Sequence, residues 1–130
     1  MKSILSLNDG NLVYRTIGKR HAETIFFCHS LGANQSLWDR QIEQLSDSYH
    51  IVSCDLRGHG ESDIFTTPYS IEIFARDILT LLDHLDIFSF HFVGLSLGSM
   101  IGLWLSSNSS NRVKRLVLAG ASACLLYTSD

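Results

Sequence analysis

The chain has no apolar run long enough to cross a membrane. Its most apolar stretch, Val93 to Leu105, falls well short of the ~20 residues a spanning helix needs. The first ten residues hold one lysine and only a short apolar stretch before Asn8 and Asp9, too little for a secretory signal core. Positive charge is scarce: 10 Lys and Arg stand against 13 Asp and Glu, for a net −3, and no basic patch supports nucleic-acid binding. Cysteines number three (Cys28, Cys54, Cys124), an odd set with no close spacing, which argues against a disulfide framework. No Cys/His spacing resembles a zinc site. Repeats and low-complexity tracts are absent too. These absences leave a soluble cytoplasmic domain, with no nucleic-acid or membrane partner and no metal or organic cofactor implied.

At 130 residues with 45% hydrophobic content, the chain is long enough to bury one real core. Ser3 to Leu7 and Asn11 to Ile17 flank Asn8-Asp9-Gly10, a hairpin signature. Thr24 to His29 is a continuous apolar run, as for a strand buried on both faces. Leu37 to Leu45 reads as a helix and His50 to Cys54 as a short strand. Ser70 is a candidate N-cap with Glu72 in the first turn, and Ile71, Phe74, Ile78, Leu81, Leu82 and Leu85 recur at helical spacing. Phe90 to Val93 reads as a strand, Leu97 to Leu105 as a helix and Val113 to Ala119 as a sixth strand. After the opening hairpin, strands and helices alternate, so the expected fold class is α/β, a mainly parallel sheet with helices on both faces. Cys28 and Cys54 then read as small core residues. Cys28 beside His29 is not taken as a thiol nucleophile, because adjacent strand residues point to opposite faces.

The most informative segment is HFVGLSLGSMIG, from His91. Gly94-Leu95-Ser96-Leu97-Gly98 lies between a strand and a helix, the context of a G-x-S-x-G nucleophile elbow. Ser96 must sit on a strained, tight turn that lifts its hydroxyl clear of the sheet, and side chains two positions to either side would collide there. The following helix aims its free N–H groups and positive dipole end at the reacting centre. Ser96 is therefore the candidate nucleophile.

A second segment, His29-Ser30-Leu31-Gly32, follows a buried strand and so falls at the same carboxyl edge of the sheet, where ligands bind. The Leu31 N–H, with that of Leu97, is a candidate pair of donors for an oxyanion. A third segment, Asp55-Leu56-Arg57-Gly58-His59-Gly60-Glu61-Ser62-Asp63, is a charged, glycine-rich loop. Asp55 could serve as a triad acid, His59 as a base and Arg57 as an anchor for a substrate carboxylate. Residues of these types also commonly bond their own loop. His59 and Ser62 are read that way, and Arg57 is left open between anchor and tie.

Together these segments resemble the α/β-hydrolase superfamily, over nearly the whole chain up to about Ala123. LNDGNLVYRTIG, CHSLGANQSLWDRQIEQL, DLRGHGESD, PYSIEIFARDILTLLDHLDI and HFVGLSLGSMIGLWL look like the 3-oxoadipate enol-lactonases, which hydrolyse a lactone in aromatic-compound catabolism. The HSLG form of the oxyanion loop and a tryptophan at position 38 belong to that likeness. The resemblance implies Ser96 as nucleophile, Leu31 and Leu97 as oxyanion donors, and Trp38 either lining the pocket or packing a helix. It implies a small-molecule ester or lactone substrate and an acyl-enzyme mechanism. The alternatives share the elbow: a hydrolase-fold ligand-binding protein or sensor, a C–C hydrolase, an aminopeptidase or a haloperoxidase.

The resemblance also implies an acid and then a histidine after the serine. Every histidine here (His21, His29, His50, His59, His84, His91) precedes Ser96, and Asp130 is the one acid beyond it. Residues 1–123 thus read as the N-terminal part of a hydrolase domain, stopping after the sixth strand. Cys124 to Asp130, CLLYTSD, reads as translated sequencing adaptor, a non-native tail.

Overall fold

The computed structural model describes residues 2–120. The tail reading for 124–130, and Asp130 with it, lie outside the described residues.

The Asn8–Asp9 turn joins β1 (Lys2–Leu7) to β2 (Gly10–Gly18) as an antiparallel pair, Leu7 opposite Gly10. β3 (Thr24–Cys28) is buried at every position, as its unbroken apolar run predicts. A 3₁₀ turn over Gln35–Trp38, capped by the Asn34 side chain, leads into α1 (Asp39–Leu45), so the predicted single helix from Leu37 is two short pieces. β4 (His50–Cys54) follows, then α2 (Ile71–His84), whose Ser70 hydroxyl caps the Ile73 N–H at 3.1 Å. β5 (Phe90–Leu95) runs two residues further than predicted, through Gly94 into the elbow. α3 (Leu97–Asn108) and β6 (Val113–Ala119) complete the order.

The strands form one sheet in the order β1-β2-β4-β3-β5-β6. β4, β3, β5 and β6 run parallel, and β1 and β2 are antiparallel additions. The fold is the α/β sandwich that alternation implies, with helices on both faces. On one face α2 and α3 bury Phe74, Ile78, Leu81, Leu82, Ile101 and Leu105 against the sheet. Within that core Phe26 stacks on Phe92 at 5.7 Å, and each such buried ring contributes roughly 1.5–3 kcal/mol. On the other face α1 sets Ile42 on Ile25, Phe27 and Ile51 in a smaller cluster. Among the described residues, no helix is long and apolar enough to cross a membrane.

Cys28 and Cys54 sit in the larger core, each 1% exposed, and burial pushes both thiols up from their ordinary pKa. They are core residues, as read from sequence, and not thiolate nucleophiles.

Candidate active site

β5 carries the chain to the carboxyl edge of the sheet and α3 begins two residues later. Ser96 absorbs the whole change of direction, with φ 55° and ψ −107°. That is left-handed backbone, costly for a serine, and it holds only because the surroundings over-determine it. The Ser96 N–H donates to the Ala119 carbonyl at 2.8 Å, tying the elbow to the end of β6. Buried Ser99, one helical turn on, places its Oγ 2.9 Å from the Gly94 carbonyl and 2.6 Å from that of Ala119, so one hydroxyl proton serves both. Ser99 carried no sequence signal beyond its place after the motif, and it is the residue that reading missed.

Both motif glycines are required by close approach. A Cβ on Gly94 would stand 2.4 Å from the carbonyl of Gly98, and one on Gly98 would stand 2.5 Å from the carbonyl oxygen of Cys28. In each case the obstacle is backbone, which cannot swing aside. Gly94→Ala is therefore expected to destabilise the fold by at least the 1–3 kcal/mol typical of overpacking. Urea unfolding checks this, and a variant within about 0.5 kcal/mol of native would mean that the elbow relaxes freely.

The Gly98 contact also answers where the 29–32 segment lies. Cys28 pairs with Gly94 across adjacent parallel strands, and α3 starts against the last carbonyls of β3. The HSLG loop and the elbow therefore leave the same edge side by side. Ser96 is half-buried, and the Leu31 side chain is 74% exposed. As the first residue of α3, Leu97 has an N–H with no partner inside the helix.

The third loop is a set of ties. Buried Asp55 accepts the Gln35 N–H at 2.8 Å with one carboxylate oxygen and the Glu61 N–H at 2.9 Å with the other. It thereby clamps the segment after the HSLG loop to its own loop, and does not stand as a triad acid. Ser62 Oγ donates to the Asp55 carbonyl at 2.6 Å, and His59 Nδ1 lies 3.1 Å from the Arg57 carbonyl, both within the loop as read. Arg57 is a tie as well. Nε and Nη2 donate to the two oxygens of Asp77 at 2.7 and 2.8 Å, Nη1 donates to Thr67, and the guanidinium lies 4.0 Å above the Phe65 ring. Burial pushes the Asp77 carboxyl up, while the paired guanidinium opposes it and is itself held more firmly charged by Asp77. The anchor reading of Arg57 thus gives way to a loop-to-helix pair. Trp38 packs on Phe27, ring centroids 5.2 Å apart, against the smaller core cluster.

Residues 23–129 match the profile of the alpha/beta hydrolase fold family. The chain belongs to that family. It is 36% identical over 122 residues to 3-oxoadipate enol-lactonase 2 of Acinetobacter baylyi, covering 94% of this chain and 46% of that protein. With 3-oxoadipate enol-lactonase 1 of the same organism it shares 34% over 113 residues, 87% of this chain and 42% of the relative. The chain thus spans about half the length of these curated relatives. Among solved structures, the enol-lactonase of Burkholderia xenovorans LB400 superposes with a TM-score of 0.83 at 36% identity, covering 88% of this chain and 45% of that one. A hydrolase of Pseudomonas aeruginosa PA01 gives 0.86 at 36% identity, covering 90% and 44%. For this hydrolase-family chain, the elbow and the loop beside it form the candidate active site. Among the described residues, no group of three or more His, Cys, Asp or Glu is placed to hold a metal ion.

Proposed function

We propose that this chain carries the nucleophile and oxyanion half of a serine hydrolase acting on a small carboxylic ester or lactone, of the 3-oxoadipate enol-lactone kind. The observation that carries the reading is Ser96 itself: a serine in left-handed backbone between two glycines that no side chain can replace, at the N-terminus of a helix. Strain of that sort persists where function uses it. Likeness to enol-lactonases in sequence and in structure supports the substrate class.

In this reading Ser96 Oγ attacks the acyl carbon while a base takes the hydroxyl proton. The carbonyl π electrons move to oxygen, and the oxyanion is received by the N–H groups of Leu31 and Leu97. Each such donor contributes roughly 3–4 kcal/mol in the transition state. Collapse expels the ring oxygen of the lactone and leaves an ester on Ser96, which water then cleaves. The base is a histidine, oriented by a carboxylate, from beyond the residues described.

The test is to express the gene continued past codon 123 and assay a 3-oxoadipate enol-lactone beside simple aryl esters. The lactone is expected to be the better substrate, and Ser96→Ala is expected to lower kcat about 10⁶-fold. A Ser96→Ala enzyme of native activity would overturn the reading.

A further inference from the structure

An oxyanion donor is useful only if it points at one place, and the direction of the Leu31 N–H is set by its neighbour. Ser30 to Ala33 form a turn closed by the Ala33 N–H on the Ser30 carbonyl at 3.1 Å, with Gly32 at φ 77° in the third place. Positive φ at that place is the mark of a type II turn. The same Ser30 carbonyl meets a second partner, His29 Nδ1, at 2.8 Å. The other ring nitrogen, Nε2, accepts the Leu56 N–H at 3.0 Å. An N–H can only donate, so Nε2 is the bare nitrogen and Nδ1 carries the hydrogen that reaches Ser30. His29 is thus a neutral ring in one tautomer, wholly buried between two loops.

The Ser30–Leu31 peptide is planar and trans, so its N–H points opposite to its carbonyl. Two bonds hold that carbonyl, and they therefore aim the amide. Among the described residues no acceptor takes the Leu31 N–H.

We propose that His29 is the positioning residue of the oxyanion site, its Nδ1–H tautomer latching the Ser30 carbonyl to the Leu56 loop so that the Leu31 N–H stays aimed, and that protonating the ring opens the latch. A charged ring would turn a hydrogen on Nε2 against the Leu56 N–H. The use of the aimed amide rests on the Ser96 reading, whereas the latch does not. The groups facing the ring are His59, 5.0 Å away between centroids, which disfavours its charge, and Asp55, which favours it. Burial, with His59 on the same side, outweighs the Ser30 carbonyl bond and Asp55 and holds the His29 pKa below its ordinary 6.5. A depressed histidine binds its proton more readily when unfolded, so the latch is intact above about pH 6.5 and is lost as pH falls through the folded-state value.

The test is solution NMR on the ¹⁵N-labelled 130-residue chain, following the His29 ring nitrogens and the Leu31 and Leu56 amides through an acid titration. Above the transition Nδ1 is expected to be protonated and Nε2 bare, and both amides are expected to shift with the midpoint of the ring. His29→Phe fills the space without either nitrogen and should displace the Leu31 amide signal at every pH. His29→Asn keeps a donor toward Ser30 and should leave Leu31 near its native position while Leu56 moves. An Nε2–H tautomer, or a Leu31 amide indifferent to the titration and to both variants, overturns the latch. Phenylboronate then separates the latch from the serine reading, since its adduct with Ser96 places an anionic oxygen at the two amides. Binding is expected to weaken about tenfold in His29→Phe, the effect of one misaimed bond to a charged group, and to vanish in Ser96→Ala. Equal binding by native chain and His29→Phe sinks the positioning role. Binding that survives Ser96→Ala, or none by a native chain that shows its latch signals, sinks the serine reading alone.

Discussion

The polypeptide Met1–Asp130 is expected to hydrolyse an enol-lactone or an aryl ester about a million times more slowly than an enzyme with a complete serine triad. An unassisted serine hydroxyl is a poor nucleophile, and removing the triad histidine costs about 10⁶ in rate, or roughly 8 kcal/mol of barrier. None of the six histidines is arranged as that base. His29 has both nitrogens occupied, by the Ser30 carbonyl and the Leu56 N–H. His59 directs Nδ1 at its own loop and sets its ring beside His29 and Phe74. His91, at the start of β5, bonds Glu23 at 3.1 Å, on the edge of the sheet away from the elbow. His21 and His50 line a groove at that same far edge, and His84 packs edge-on to Tyr14 on α2. If the Leu31 and Leu97 N–H groups receive the oxyanion as proposed, a small residual rate is expected, and Ser96→Ala should remove whatever part of it runs through the hydroxyl. Initial rates beside a complete homologous enzyme decide the matter: activity within a hundredfold of that enzyme would mean that a base has been overlooked.

The elbow was legible in the sequence because it is a place where sterics leave no choice. Gly94 and Gly98 face backbone at 2.4 and 2.5 Å, so the motif and the geometry are one statement. The strand runs were equally legible, since β3 and β4 are buried on both faces and admit little but apolar residues. The turn at Ser30–Ala33 was not. A loop containing glycine is obvious, but which φ that glycine adopts depends on where Ser30 finds its second bond, and that bond comes from a histidine whose other partner lies 27 residues further on. The division of the helix expected from Leu37 was not legible either, because a 3₁₀ turn and the first turn of an α-helix share a pattern over four residues.

Arg57 was left between two roles although a signal was present. On α2 the apolar positions Phe74, Ile78 and Leu81 carry Asp77 among them, on the buried side of the helix. A carboxylate there requires a partner, and the glycine-rich loop supplies the arginine that fits it in bidentate fashion. Reading α2 for its one misplaced charge would have paired the two residues from the sequence.

The pair makes a second large effect testable. Asp77→Ala is expected to destabilise the chain by about 3 kcal/mol, the lower end of the range for breaking a buried ion pair. The side chains are 7% and 9% exposed, so water does little to replace the lost carboxylate, while Asp9, at 3.8 Å from Arg57, moderates the loss. Removing both charges should cost far less, because apolar side chains of similar volume carry no desolvation penalty. Asp77→Leu with Arg57→Met is expected to return to within about 1.5 kcal/mol of native, given that Met can still lie on Phe65. Urea midpoints at constant slope measure both, and a domain with roughly 5–15 kcal/mol in total will show the single variant clearly. A single variant costing under about 0.5 kcal/mol would mean that the guanidinium is solvated and free, which would restore the substrate-anchor role for Arg57. The effect should also travel to the candidate active site. The Arg57 loop begins at Asp55, whose carboxylate holds the Gln35 N–H just beyond the HSLG turn. Loosening that loop from α2 is expected to move the Leu31 amide resonance in the single variant and not in the double one, since only the unpaired arginine pulls the loop toward water.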